Sequence, residues 1–415
     1  MVSTRARWHR DTPLRSHAQA WGIPRGHRHR PRSNGLSYRA VIGQRRRWDP
    51  CVDHRDDTAR AFVQDYWGAD SRRILIIAGV GFDPRAGIIA QLLYDAAGSR
   101  VSAVFVREER PSTDAALTAR ATANLLAMQA AIPRHALVSI QVFAADNAVT
   151  GGRTVVGELG QTLNALIDGI SDVVVDFSGL SIGISFPIAK YLLQRFTRVG
   201  PNLHVMVVSD PELDSEIRPI PGESPNAIHG FAGRLRLEET ARAAKLWVPQ
   251  LTRGQRPILD IIHREVAPHD ICPILPFPAR SPNAGDMLAE EYQDELRGIW
   301  DVDLRNIIYA DEEDPLDVYR TLLEVDDARE PVFRSVGGSL SILSPVGSKV
   351  VAMGVLMAAV ERDFPVVYVE ALGFSVGQTA LANWSMDRGR LAHVWLSGDA
   401  YPPHSSDRSP DATIE

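Results

Sequence analysis

The chain has 415 residues, of which 45% are apolar and 23% charged, with a formal net charge of −6 and only two cysteines. That composition is globular and large enough for two or three domains. It excludes a disulfide framework or thiolate metal site, and no apolar run reaches the roughly 20 residues that a membrane-spanning helix needs. A reducing cytoplasm is the expected location.

Residues 1–56 carry 13 arginines, no lysine and four acids, a local balance of +9 within the overall −6, so the rest of the chain is acidic. This stretch has neither a signal-peptide core nor periodic hydrophobics, and reads as a disordered, Arg-rich leader. Clustered arginines release phosphate counterions, so the leader is the one segment suited to nucleic acid.

Residues 57–210 form a first module of alternating strands and helices. Strands are expected at 74–79, 102–107, 138–143, 172–177 and 203–208, with helices near 85–97, 113–131, 155–169 and 183–197. Runs such as Val173-Val174-Val175 are continuously apolar, as in a parallel sheet covered on both faces. Residues 211–244 read as a connector, proline-rich first and helical from Arg234 to Lys245. A second module, 245–399, repeats the layout, with strands at 245–250, 271–275, 305–310, 339–344 and 365–370. Its helices are expected near 256–266, 284–297, 315–325 and 349–361. Val104 matches Ile274, Val142 matches Ile308, Val175 matches Ile342 and Val207 matches Val367 at a slowly drifting offset, the pattern of an internal duplication. Residues 400–415 read as a flexible tail. The expected fold is therefore α/β, two tandem Rossmann-like, mostly parallel, doubly wound sheets.

Ligands of such sheets bind beyond the carboxyl ends of the strands, where strand order reverses. In the first module this directs attention to Gly79, Gly81, Asp83 and Arg85 after strand one. Two glycines there permit close approach, Asp83 can cap a helix or accept from a hydroxyl, and Arg85 can pair with a phosphate or carboxylate. Glu108 follows strand two, Asp176 ends strand four, and Ser178, Gly179 and Ser181 make the turn after it. The second module offers Ser344, Gly347, Ser348 and Lys349 at its own fourth strand. Small residues admit a ligand, hydroxyls donate to its oxygens, and Lys349 adds a point charge. The spacing lacks a complete Walker A pattern. The acidic run 311–317 reads as a solvated loop ending in helix caps, and Gly151-Gly152-Arg153 as a flexible loop. No histidine has metal or triad spacing, so no catalytic residue is singled out.

Two resemblances follow from these residues. Ser344-Pro345-Val346-Gly347-Ser348-Lys349, followed by a small-residue helix, resembles the ligand motif of CRISPR-associated Rossmann-fold sensors, with Pro345-Val346 in place of the expected glycine. The resemblance implies that Ser344, Gly347, Ser348 and Lys349 line a pocket, and such domains bind cyclic oligonucleotides between paired modules. The glycine pair at 79 and 81, with Glu108 or Glu109 after the second strand, is similar to one βαβ unit of Rossmann-type methyltransferases. That likeness implies S-adenosylmethionine held by an acid on its ribose. The leading expectation is an anionic small molecule, a nucleotide or other phosphorylated ligand, bound in a sensory or regulatory role. The alternatives are an S-adenosylmethionine-dependent group-transfer enzyme and a non-catalytic interaction scaffold. Nothing in the sequence sets an oligomeric state.

Overall fold

The computed structural model describes residues 46–112, 114–196, 200–233 and 242–401. Most of the expected leader, 1–45, and most of the expected tail, 402–415, lie outside the described residues. Along the first half the chain forms β1 (Asp53–Arg55), α1 (Asp56–Phe62), β2 (Ile74–Val80), α2 (Ile88–Ala97), β3 (Val101–Glu109) and α3 (Ala115–Ala131). It continues through β4 (His135–Gln141), α4 (Gly151–Leu166), β5 (Asp172–Asp176), α5 (Ile182–Arg195), β6 (Asn202–Ser209), α6 (Pro211–Glu216), β7 (Arg218–Pro221) and β8 (Asn226–Ala227). The second half forms β9 (Ala244–Pro249), α7 (Arg256–Val266), β10 (Asp270–Ile271), β11 (Ile274–Pro276), α8 (Ala284–Glu291) and β12 (Ile308–Ala310). After these come α9 (Pro315–Phe333), β13 (Ser339–Ser344), α10 (Lys349–Arg362), β14 (Val367–Tyr368), β15 (Ala371–Ser375), α11 (Gln378–Ala382) and β16 (Arg390–Ser397).

The first sheet has seven strands in the order β1-β16-β6-β5-β2-β3-β4. Strands β2 to β6 are mutually parallel, so the order reverses between β2 and β5. Successive residues of a strand face opposite sides, and both sides are covered. Leu75, Ile77, Val104, Val173 and Val175 pack with Val155, Leu159 and Leu163 of α4 and Ile184, Ile188 and Leu192 of α5. Ile74, Ile76, Ala103, Phe105 and Val174 pack instead with Ile89 and Leu93 of α2 and Leu125 and Met128 of α3. That two-sided burial is why these strands read as unbroken apolar runs.

The second sheet is smaller. Strands β10-β9-β13 are parallel, β11 pairs with β12, and single bridges join Gln250 to Ile274 and Leu343 to Val366. The strand order matches that of β4-β3-β2-β5-β6 in the first sheet. Helix α10 links the two modules. Ten of its 14 residues are buried, and nine of them share one core with one face of the first sheet. Gly354 permits the closest contact, because a Cβ there would lie 2.3 Å from the Pro315 carbonyl oxygen at the start of α9.

Several expected boundaries change. Residues 46–56 belong to the folded body rather than the leader. Trp48 is fully buried, its indole donates to the Leu396 carbonyl at 2.9 Å, and β1 pairs with β16. The chain does not end inside the second module either, because β16 returns to pair antiparallel with β6 of the first sheet. Tyr401, expected in the tail, donates its hydroxyl to the Trp395 carbonyl at 2.6 Å. Residues 211–227 are not mere connection, since β7 and β8 pair with β15 and β14. The helix expected from Arg234 to Lys245 lies outside the described residues over 234–241, and Ala244 already opens β9. Gly151 and Gly152 are the buried first turn of α4 rather than a flexible loop. In the second module Pro273 interrupts the expected strand at 271–275, because proline cannot donate to a ladder.

Candidate functional site

At the reversal point of the first sheet the loops after β2 and β5 touch through bare backbone. A Cβ on Gly79 would lie 2.4 Å from the Gly179 carbonyl, and one on Gly179 would lie 2.5 Å from the Gly79 oxygen. Only glycines allow that approach. Helix α3 pins the first of these loops: the Asn124 amide donates to the Gly81 carbonyl at 2.8 Å and the Arg120 guanidinium to that of Phe82 at 2.9 Å.

Arg85 is the buried centre of this loop, with 2% of its surface exposed. Its Nε and Nη2 donate to the two oxygens of Asp83 at 2.9 and 2.6 Å, and Nη2 also donates to Asp214 Oδ1 at 2.7 Å. The two carboxylates keep the guanidinium charged despite its burial. The capping role open to Asp83 does not hold, because α2 starts at Ile88 with Gly87 as its cap, and the carboxylates that Arg85 pairs with are the protein's own. Arg85 Nη1 and Asp214 Oδ2 are buried without a hydrogen-bond partner.

Glu108 joins the tips of β3 and β5. Its Oε1 accepts from the Ser181 backbone N–H at 2.8 Å and its Oε2 from Arg110 Nη2 at 2.5 Å. Arg110 then donates to Glu370 at 2.9 Å, and burial raises the Glu370 carboxyl above its ordinary range. Asp176 accepts from the Ser178 N–H at 2.8 Å, and burial pushes its pKa up to about 6. Ser178 Oγ accepts from the Val208 N–H at 2.9 Å, while Ser181 Oγ is buried with no partner. From the second module Lys349, the first residue of α10, donates Nζ to the Leu180 carbonyl. Burial lowers its pKa.

These loops enclose a cavity of about 280 Å³. Gly81, Asp83, Arg85, Glu108, Ser178, Gly179, Ser181, Gly347 and Lys349 line it, so loops from both modules meet at one place. The other four expected site residues serve elsewhere. Gly79 makes the backbone contact described above, and Asp176 holds the turn beneath the cavity. Ser344 is a sheet residue rather than a liner: its hydroxyl accepts from the Trp247 indole and donates to the Val367 carbonyl, both at 2.9 Å. Ser348 caps α10 by accepting from the Val351 N–H at 3.4 Å. Gly347, at φ +94°, is required by the turn, since a Cβ would lie 2.4 Å from Thr252.

Sequence reasoning missed Asp214, Arg110 and Glu370. Asp214 and Glu370 lie far along the chain from the loops they hold, and only the fold brings them there. The cavity is not a basic groove. Arg85, Arg107, Arg110 and Lys349 face Asp83, Glu108, Glu109, Asp114 and Asp214, and Arg107 pairs with Glu109 at 2.9 Å. The acidic run ends in a helix cap as expected, with Asp314 capping α9, but it is not a solvated loop: none of residues 311–317 is exposed, Glu312 is buried, and Asp311 and Asp317 accept from loop amides. Among the described residues no helix is long and apolar enough to cross a membrane.

No family model matches the chain, and no curated protein matches it. Among solved structures it is similar to a cyclopropane-fatty-acyl-phospholipid synthase-like protein from Lactobacillus casei ATCC 334. The identity is 13% and the TM-score 0.23, over 81% of this chain and 88% of that one.

Proposed function

We propose that the cleft over the first sheet binds a small nucleotide-class ligand of low charge, in a sensory or regulatory role. One observation carries the reading. Loops from both modules converge on a single cavity at the strand-order reversal, and three residues of its lining keep buried polar atoms without a partner, Arg85 Nη1, Ser181 Oγ and Asp214 Oδ2. Buried polar groups are normally satisfied, so groups left over beside a cavity point to a ligand that completes them. A single phosphate or carboxylate suits Arg85, and hydroxyl donors suit Asp214. A polyphosphate fits poorly, because every cation of the lining already has a protein partner and Arg85, held by Asp83 and Asp214, has only Nη1 to offer. A regulatory role suits a lining whose charged residues are already tied to one another, Arg85 to Asp83 and Asp214, and Arg110 to Glu108 and Glu370.

Titration calorimetry with AMP, ATP and S-adenosylmethionine tests the proposal. AMP should bind more tightly than ATP, and Ser181→Ala should weaken it about fivefold, the effect of a hydrogen bond of about 1 kcal/mol. If none of the three binds at millimolar concentration, the reading fails. A second reading, group transfer from S-adenosylmethionine, has one observation in its favour. A free donor on Arg85 beside a free acceptor on Asp214 matches the carboxylate and ammonium of an amino-acid headgroup. Binding of S-adenosylmethionine alone would select it.

A further inference from the structure

The second sheet has a cavity of its own, about 130 Å³, over the tips of β9, β11 and β12 and the start of α10. Apart from Asp214, its lining is separate from that of the first cleft. Leu251, Ile274, Met287, Leu288 and Val351 give it apolar walls. Two buried acids face these walls. Glu312 is 9% exposed and accepts on one oxygen from the Arg280 backbone N–H at 3.0 Å. The Asp214 side chain is 9% exposed, with Oδ1 held by Arg85 and Oδ2 unpartnered. Burial, Glu313 and Asp214 all raise the Glu312 carboxyl above its usual range, with burial the largest cause. Arg85 offsets only part of this charge, because it is shared between Asp214 and Asp83. Arg280 is engaged with the Arg388 carbonyl and lies 4.0 Å from Asp210, and Arg253 is exposed at the rim.

We propose that this second cavity binds a small apolar ammonium ion, its hydrocarbon part against Leu251, Ile274 and Leu288 and its charge between Asp214 and Glu312. Two carboxylates sharing a low-dielectric site repel each other, and a cation placed between them relieves that repulsion while donating to the vacant oxygen. The walls offer too much apolar surface for a hydrated metal ion, which keeps its waters and needs more oxygen ligands.

Hexylammonium, hexanol, hexanoate and magnesium chloride, each titrated into the full chain, distinguish the possibilities. Hexylammonium should saturate one site at least tenfold more tightly than hexanol and raise the melting temperature. Hexanoate and magnesium should do neither. Glu312→Gln should remove the preference for the amine, and Ala284→Phe, which fills the cavity from α8, should remove binding altogether. Equal affinity for hexylammonium and hexanol, a response to magnesium alone, or unchanged amine binding in a folded Ala284→Phe variant would each overturn the assignment. Asp214 borders both cavities, so the amine is titrated without nucleotide, and AMP binding can fail while amine binding succeeds.

Discussion

In the first sheet, strands one and four meet at their tips through bare backbone, Gly79 against Gly179. In the second, the same two strands are joined by the Trp247 indole and the Ser344 hydroxyl. Both sheets run in the same strand order, yet the tips differ in what they leave open. Glycine contact lets the loops close on one another and leaves charged side chains to form the cavity wall. A side-chain bridge fills the tip, and the second cavity is displaced toward α8, with apolar residues such as Leu251, Ile274 and Leu288 beside its two buried acids. Common topology thus fixes where a cleft can form, and the residues at the strand ends decide its chemistry.

The largest test of this contrast is Arg85. Replacing it with methionine leaves Asp83 and Asp214 buried without their cation, and should cost about 3–5 kcal/mol of unfolding free energy in urea. A loss under about 1 kcal/mol, the range of exposed pairs, would mean that the triad is solvated and the cleft open. Next in size is a paired comparison of the two tips. Gly179→Ala forces a Cβ into the Gly79 backbone and should cost about 1–3 kcal/mol or more. Trp247→Phe removes one hydrogen bond, while Ser344 keeps its donation to Val367, and should cost about 1 kcal/mol. Equal losses at both positions would erase the distinction between a backbone contact and a side-chain bridge.

The smallest effect at neutral pH, and one confined to the first sheet, concerns its opposite edge. There His54 Nδ1 lies 3.0 Å from His393 Nδ1, His393 Nε2 lies 3.0 Å from His204 Nδ1, and His204 Nε2 lies 3.2 Å from Asp172. Asp53 beside His54, and Arg72 and Tyr66 around Asp172, complete the charged and titratable surroundings. Burial lowers all three imidazoles below the ordinary 6.5, His393 well below it. The unfolded chain therefore binds more protons than the folded one once the pH drops below about 6.5. This contribution is present in full above that pH and is lost as the pH falls through the lower folded values. Denaturation midpoints at pH 7.5 and 5.5 should differ, and His393→Phe should narrow the gap. An unchanged gap would place the acid sensitivity elsewhere.

How much could be read beforehand varied with how locally each element is determined. Strand β13 and helix α7 fall within their expected limits because apolar runs and helical periodicity are local signals. Strand β16 was not legible. Its partner β6 lies some 190 residues earlier, and nothing in Arg390–Ser397 names it. Strand β4 is displaced by about three residues from its expected place because as an edge strand it alternates buried and exposed positions. At the site, Asp83 and Arg85 were each legible as ligand contacts but not as partners of one another, and the acid that completes their triad sits 129 positions from Arg85.

By itself the sequence determined the alternation of strands and helices, the two-sided burial of the first sheet, and the small-residue turns that end its strands. Those properties follow from side-chain size and polarity over a few neighbouring positions. Only the tertiary structure decided that α10 is a wall common to both modules, that 46–56 and β16 complete the first sheet, and that Asp214 stands between two cavities. Each of these rests on contacts between distant segments, whose free energy depends on packing and burial that no local pattern encodes.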